Sequence, residues 1–209
     1  MRRILIAYGT TDGHTARIAA FLGEALRSGG ASVDIARAGV AGADPDPAGF
    51  DAVIVAASVH AGGYQRALRG WVTRHAGELG RKPTAMISVC LGVLEKHPKA
   101  WAELDRIVDR FMEKTGWRPS VVKIAAGAVP FTRYGWLKRA VMRRIMRRSG
   151  ADLDPARDHV YTDWEDLRLF AMGFLRRSRG GDEGLLAAAG GDDRVEEGRR
   201  VETHRIGAR

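Results

Sequence analysis

The sequence predicts an α/β protein built on a doubly wound, five-stranded parallel sheet with helices on both faces. Five short apolar segments of strand length recur along the chain, and segments with helical periodicity lie between them. One of the strands, at residues 51–57, is apolar almost throughout. Such a composition is typical of a strand that helices cover on both sides. The alternation and the buried strand together favour a doubly wound parallel sheet.

The first strand and the first helix flank a loop that is rich in hydroxyl groups. Residues 3–7 form the predicted strand, because the run from Ile4 to Ala7 is apolar. A helix follows the loop, and apolar side chains at helical spacing define its buried face: Ile18, Leu22, Ala25 and Leu26.

The remaining elements alternate in the same way. The predicted strands lie at residues 32–36, 51–57, 84–89 and 121–127, and the predicted helices lie at residues 65–79, 99–115 and 162–177. Pro98 precedes the third helix, where proline is favoured because the first turn does not use its N–H groups. Thr162 and Glu165 have the spacing of a capping box, which predicts the start of the last helix.

Two segments lie outside this alternation. An insertion at about residues 128–161 separates the fifth strand from the last helix. Residues 178–209 are rich in Gly, Asp, Glu and Arg without sustained periodicity, and we expect a disordered tail there. The domain itself is predicted to span residues 1–177.

The composition indicates a globular protein of a reducing compartment. The chain has 209 residues, of which 45% are hydrophobic, enough for one domain with a full core. Its one cysteine excludes an internal disulfide. The first strand begins within a few residues, and no apolar run approaches the ~20 residues of a spanning helix. We therefore expect a cytoplasmic location.

The loop at residues 9–15, called the first loop, has the composition of a phosphate site. It joins the end of a strand to the start of a helix, where backbone N–H groups and the helix dipole favour an anion. Three threonines add hydroxyl donors, and Gly13 allows close approach of a ligand. Neither the Gly-Lys-Ser/Thr ending of a Walker loop nor a G-x-G-x-x-G fingerprint is present. The alternative is an ordinary strand-to-helix turn in which Thr15 is the N-cap.

A doubly wound sheet binds ligands at the carboxyl ends of its strands, at the switch point of the strand order. This rule selects the first loop, residues 58–64 (the second loop) and residues 90–95 (the third loop). Cys90 begins the third loop and is predicted to be a small buried hydrophobic residue. The six histidines show no metal-binding spacing, and we expect no metal.

The net charge of +9 is concentrated in the insertion. Seven basic residues and no acidic one lie between residues 133 and 148, and they account for all but +2 of the net charge. An anionic partner is therefore expected. As a helix, this segment would have a basic side and an apolar side. It could bind an anionic membrane surface, or pack on its own sheet with a solvated basic face. It carries no nucleic-acid motif, so we expect no nucleic-acid partner.

Several segments resemble one known family. They are residues 10–15 (TTDGHT), 57–64 (ASVHAGGY), 117–119 (WRP), 133–136 (RYGW) and 160–165 (VYTDWE). Through them the chain resembles the flavodoxin superfamily from residue 1 to about residue 177. Within that superfamily it is similar to the menaquinone-dependent protoporphyrinogen IX dehydrogenases, which are flavodoxin-like oxidases of haem biosynthesis.

The resemblance implies FMN as the cofactor, held by the three loops. The implied FMN-binding residues are Thr10, Thr11, Asp12, Gly13, His14, Thr15, Ser58, Val59, His60, Gly62, Tyr64, Ser88, Val89, Cys90, Leu91 and Gly92. His60 or Tyr64 is predicted to stack on the flavin ring, and the alternative is a Gly-rich turn in which Tyr64 packs on the next helix. No general base is identified, although the position of His60 makes it a candidate.

The resemblance also implies the oxidation of protoporphyrinogen IX with a membrane quinone as acceptor. The protein would then lie at the inner face of the cell membrane. Five arginines of the insertion would bind substrate propionates or anionic lipid. They are called the insertion arginines: Arg133, Arg139, Arg143, Arg144 and Arg147.

Two other functions on the same core are an electron carrier of the flavodoxin type and an FMN-dependent quinone reductase. The basic insertion disfavours the carrier, because carrier flavodoxins are typically acidic. A response-regulator module would need an acidic cluster after the first strand and a lysine after the fifth, and residues 8–10 and 126–128 supply neither.

Overall fold

The structure is a computed structural model, and it describes residues 1–40, 44–94, 98–129 and 157–184. The long strands are β1 (Arg3–Gly9), β2 (Ser32–Arg37), β3 (Ala52–Ser58), β4 (Thr84–Cys90) and β5 (Val121–Ala126). They form one parallel sheet in the order β2-β1-β3-β4-β5. The helices are α1 (His14–Ser28), α2 (Arg66–Leu79), α3 (Pro98–Thr115) and α4 (Trp164–Gly184). The predicted fold class is confirmed.

The sheet has a separate apolar core on each face because successive strand residues point to opposite sides. Ile4 and Ile6 of β1 lie in the core that α1 and α4 cover, together with Phe174. Leu5 lies in the core on the other face, which α2 and α3 cover and which includes Trp71. The side chains of both cores are buried, and they hold the strands and helices in place around the carboxyl edge of the sheet.

The insertion starts and ends in a two-stranded antiparallel ribbon beside the main sheet. β6 (Ala128–Val129) pairs with β7 (His159–Val160). The sequence analysis did not predict this ribbon, since two-residue strands carry no periodicity. The insertion arginines and the rest of residues 130–156 lie outside the described residues.

The last helix is longer than predicted. The sequence analysis ended it at about Arg177, whereas α4 continues to Gly184. Ser178 is 1% exposed, and Arg179 Nη2 donates to Gly29 O at 2.8 Å. These contacts outside the helix sustain it past the predicted end. The disordered tail was predicted for residues 178–209; residues 178–184 instead belong to α4, and for residues 185–209, which lie outside the described residues, disorder stays a prediction.

Lys123 of β5 is a buried charged residue on the face of the sheet that α4 covers. The side chain of Lys123 is 8% exposed, and its Nζ lies 2.7 Å from Asp166 Oδ1 of α4. A buried lysine needs such a partner because its desolvation is costly. In the part of the chain that the structure describes, no helix is long and apolar enough to cross a bilayer.

Candidate functional site

The candidate site lies at the carboxyl edge of the sheet, between β1 and β3. The chain continues from β1 to β2 on one side and from β3 to β4 on the other, so the two strands form the switch point of the sheet. Connections that leave in opposite directions open a crevice at this edge. The first and second loops border the crevice directly.

A threonine of the first loop fixes the start of α1. Gly13 N–H donates to Thr10 Oγ1 at 2.9 Å. Gly13 is the N-cap of α1 and has a φ of 90°, which favours glycine. The alternative prediction that Thr15 is the N-cap is therefore wrong. Apart from Gly13 and its two chain neighbours, no described residue has an atom within 4 Å of the place that a Cβ on Gly13 would occupy, so the loop is open at this point.

Thr15 holds a buried hydroxyl group in the first turn of α1. The residue is 1% exposed, and among the described residues its Oγ1 has no hydrogen-bond partner. Buried hydroxyl groups in folded proteins nearly always have a partner, so an orphaned one beside a crevice indicates a missing ligand or water. Because the helix start also favours anions, the observation fits a phosphate group.

Gln65 connects the first and second loops. Its Nε2 donates to Thr11 Oγ1 at 3.1 Å, to Ser58 Oγ at 2.8 Å and to Ser58 O at 3.2 Å. Gln65 is the N-cap of α2, so the amide extends from a fixed helix end. The sequence analysis missed this residue. Its only local signal is that the chain contains no other Gln and no Asn.

The second loop is a tight two-residue turn. His60 and Gly63 exchange backbone hydrogen bonds of 2.8 and 3.0 Å. The two residues between them, Ala61 and Gly62, have φ values of 47° and 72°. Positive φ at both central positions is the pattern of a type I′ turn, and it strains Ala61 by about 1 kcal/mol. His60 Nε2 lies 3.7 Å from Asp12 Oδ2, so this turn meets the first loop.

Tyr64 is held against the sheet and α3. Its hydroxyl donates to Ser88 Oγ at 2.7 Å, and its ring meets Phe111 edge-on with centroids 4.9 Å apart. Burial raises the pKa of the Tyr64 hydroxyl, so the group remains protonated. The ring of Tyr64 thus contacts α3, whereas the alternative prediction had it pack on the next helix of the chain, α2. The predicted stacking of Tyr64 or His60 on a ring stays a prediction.

The end of β4 brings a neutral thiol to the same edge. Cys90 is 7% exposed, and burial raises the pKa of its thiol to about 11, although the backbone of Val93 and Gly92 acts in the opposite direction. The thiol is therefore uncharged at neutral pH, as expected for a small hydrophobic residue. Val89 is buried as well, and its carbonyl accepts from Val59 N at 2.9 Å, so the second loop is tied to β4. Leu91 and Gly92 are partly exposed at this edge.

Thr162, the residue that follows the insertion, contacts the start of α1 at this edge. His14 Nε2 lies 2.6 Å from Thr162 Oγ1, and that hydroxyl donates to Ala126 O at 2.8 Å. Thr162 therefore accepts the N–H of His14. Burial, and secondarily the charge of Arg17, lowers the pKa of His14. The His14 side chain is thus used inside the protein, and a ligand can meet only its backbone or its other ring nitrogen.

The hydroxyl groups beside the crevice are oriented as donors. Thr10 Oγ1 accepts from Gly13, and Thr11 Oγ1 and Ser58 Oγ accept from Gln65. Within the described ranges these three hydroxyl protons have no assigned acceptor. A second missed residue, Arg37, places its Nη2 3.3 Å from Thr10 O and brings positive charge to the first loop. Such a site fits a ligand that is rich in acceptors and negatively charged, such as the phosphate end of a flavin.

The residues described here contain no group of three or more His, Cys, Asp or Glu side chains that could hold a metal ion. The insertion arginines cannot be placed relative to the crevice, because they lie outside the described residues.

Sequence comparisons assign a family and identify relatives. The family model described as flavodoxin domain matches residues 5–155. A protein of Escherichia coli K12, protoporphyrinogen IX dehydrogenase (quinone), is 34% identical over 169 residues, which cover 81% of this chain and 92% of that protein. A protein of Leishmania major with the same name is 32% identical over 176 residues, which cover 82% of this chain and 74% of that protein.

Structural comparisons support the same fold. An archaeal flavodoxin superposes with a TM-score of 0.50 and 11% identity, covering 85% of this chain and 99% of the flavodoxin. Oxidised flavodoxin 1 of Bacillus cereus also gives a TM-score of 0.50, with 10% identity and coverage of 83% of this chain and 97% of that one. At this identity the similarity concerns the fold alone.

Proposed function

Since the chain belongs to the flavodoxin domain family, we propose that it is an FMN-dependent dehydrogenase that oxidises protoporphyrinogen IX and passes the electrons to a quinone. The observation that carries this proposal is the 34% identity to the Escherichia coli protoporphyrinogen IX dehydrogenase over 92% of that protein's length. The flavodoxin family model matches residues 5–155, a range that includes the three loops of the candidate site.

Family membership implies a flavin, and two features support FMN in particular. The first loop offers one compact set of donors, which suits a single terminal phosphate. No second phosphate motif adjoins it in the sequence, as a dinucleotide would require. A bound flavin supplies two-electron redox chemistry and can exchange electrons with both a porphyrinogen and a quinone.

The chain's own residues would bind and orient that cofactor. The hydroxyl groups of Thr10, Thr11 and Thr15 and the free N–H groups at the start of α1 would hold the phosphate. Arg37 would add positive charge at the same end. At the other end, Ser58 and the strained turn of the second loop would border the ring, and glycines in this turn let the backbone approach it closely.

The insertion is proposed to recruit substrate and acceptor. Its two ends lie at the carboxyl edge: Gly127 N donates to Cys90 O at 3.2 Å, and Tyr161 N donates to Gly127 O at 3.1 Å. This position supports a role next to the cofactor. The insertion arginines would pair with the propionates of the porphyrinogen or with anionic lipid head groups. The protein would then act at the inner face of the cell membrane.

Anaerobic turnover tests the proposal. Purified protein with its bound flavin is mixed with protoporphyrinogen IX and a menaquinone analogue, and protoporphyrin fluorescence is followed. We expect porphyrin to form only when protein and quinone are both present. If a quinone is reduced by another donor while protoporphyrinogen is left unchanged, the protein is a quinone reductase. If it exchanges electrons only with protein partners, it is an electron carrier.

A further inference from the structure

Gln65 contacts both cofactor loops through one amide group, although it belongs to neither predicted loop. Its Nε2 lies 3.1 Å from Thr11 Oγ1 and 2.8 Å from Ser58 Oγ. Thr11 belongs to the first loop, and Ser58 belongs to the second. A single side chain therefore fixes the distance between the loop proposed to hold the phosphate and the loop proposed to border the ring.

The amide of Gln65 points its nitrogen toward Thr11 and Ser58, and its Oε1 is buried without a hydrogen-bond partner among the described residues. The Nε2 atom also donates to Ser58 O at 3.2 Å. If the amide were turned over, its oxygen would face this carbonyl oxygen, and two acceptors would repel each other. The nitrogen consequently faces both hydroxyl groups. Because an amide N–H only donates, Thr11 Oγ1 and Ser58 Oγ must accept, and each keeps its own proton to donate elsewhere.

The space for this amide depends on a glycine. A Cβ on Gly9, the last residue of β1, would lie 2.9 Å from Gln65 Oε1 and 3.1 Å from Leu68 Cβ. Such a distance is too short for a carbon and an oxygen, so a larger residue at position 9 would displace the amide. The Gln65 side chain is therefore held in one place between the end of β1 and the start of α2.

We infer that Gln65 is a positioning residue that turns the Thr11 and Ser58 hydroxyl groups into donors toward the cofactor. Gln65 acts on the cofactor through Thr11 and Ser58. It acts on Thr11 at the phosphate end and on Ser58 at the ring end, and the two loops are arranged for the cofactor before it binds. This inference rests on the proposed FMN function.

The test is a double-mutant cycle on cofactor affinity in the apo-protein. FMN and riboflavin are each titrated by flavin fluorescence, and riboflavin lacks the phosphate. In the native background, Thr11→Val is expected to lower the affinity for FMN about tenfold, which is the effect of losing one hydrogen bond to a charged acceptor. The affinity for riboflavin is expected to stay unchanged. In the Gln65→Met background, Thr11→Val is expected to lower the affinity for FMN less than about threefold, because the Thr11 hydroxyl group is no longer oriented toward the cofactor.

Gln65→Glu is a second variant of the same size. A carboxylate accepts from Thr11 and Ser58 and so reverses both hydroxyl groups. We expect Gln65→Glu to lower the affinity for FMN more than Gln65→Met does. It should also lower the ratio of FMN affinity to riboflavin affinity further. Thr73→Ala is the matched control on α2, where Thr73 Oγ1 donates to Arg69 O at 3.0 Å within the helix. It is expected to leave both affinities unchanged.

A tenfold cost of Thr11→Val in both backgrounds would overturn the role of Gln65, even though FMN binds normally. The same conclusion would follow if Gln65→Met and Gln65→Glu had the FMN-to-riboflavin ratio of the native protein. An apo-protein that binds neither ligand would instead contradict the proposed cofactor. Melting temperatures of the apo-variants identify any substitution that acts only by destabilising the fold.

Discussion

Replacing Thr15 by valine is expected to change stability and cofactor affinity in opposite directions. Thr15 is 1% exposed, and among the described residues its hydroxyl has no partner. Valine has nearly the same shape and no polar atom. An unsatisfied buried polar group destabilises the folded state by about 1–3 kcal/mol. In the apo-protein the substitution removes this group and therefore its penalty. Because valine loses little packing, we expect the apo-protein to become more stable.

The same substitution removes a donor from the proposed phosphate site. A hydrogen bond to a charged group contributes about 1.5–3 kcal/mol, which corresponds to about 10- to 150-fold weaker FMN binding. For a chain of this size, a gain of 1 kcal/mol raises the melting temperature of the apo-protein by about 2–4 °C. Two assays measure these effects: thermal unfolding of the apo-protein and titration with FMN.

The Thr15→Ser variant is the control. It keeps the hydroxyl group and loses one methyl group, so FMN affinity should stay close to that of the native protein while stability falls. If Thr15→Val instead destabilised the apo-protein and left FMN affinity unchanged, the hydroxyl group would have a structural role. The assignment of the start of α1 as the phosphate site would then be refuted.

Four further outcomes are expected. Gly13→Val should abolish flavin binding, because a φ of 90° strains any β-branched residue, and the flavin absorbance of the purified variant measures this. A chain that ends at Gly184 should melt like the native protein, whereas one that ends at Arg177 loses the buried Ser178 and should melt a few degrees lower. The Cys90 thiol should react slowly with alkylating reagents at pH 7 to 8 and faster only as the pH approaches its pKa of about 11, because the thiolate is the reactive form. Changing all insertion arginines to Gln should preserve flavin content and reduce quinone-linked turnover, binding to anionic liposomes, or both; unchanged turnover and unchanged binding would contradict their proposed role.

The sheet and the first loop could be predicted because their signals are local. The apolar strands and the helical periodicity are contiguous in the sequence, and they predict the five-stranded, doubly wound parallel sheet that the structure confirms. Thr10 and Gly13 lie three residues apart, and their contact is formed within the loop itself. The fold and the proposed phosphate end of the site therefore follow from short segments.

The remainder of the site depends on contacts between distant segments. Gln65 meets Thr11 across 54 positions in the chain, and no local pattern indicates this pair. Tyr64 contacts Phe111 of α3 across 47 positions in the chain, and no local pattern indicates this contact either. Likewise, α4 continues through glycines at its end because Arg179 contacts Gly29, so a tertiary contact outweighs the low helix propensity of glycine.

The central claim is that electrons pass from a porphyrinogen to a flavin held by this chain. The most direct measurement is the absorbance of the protein-bound flavin near its visible maximum, recorded without oxygen and without quinone, after protoporphyrinogen IX is added. The account predicts that less than one equivalent of protoporphyrinogen IX bleaches the flavin, because the full oxidation of one porphyrinogen releases three electron pairs and a flavin accepts one pair, and that the flavin colour returns when a quinone is added. A flavin that stays oxidised in the presence of excess protoporphyrinogen IX would contradict the account.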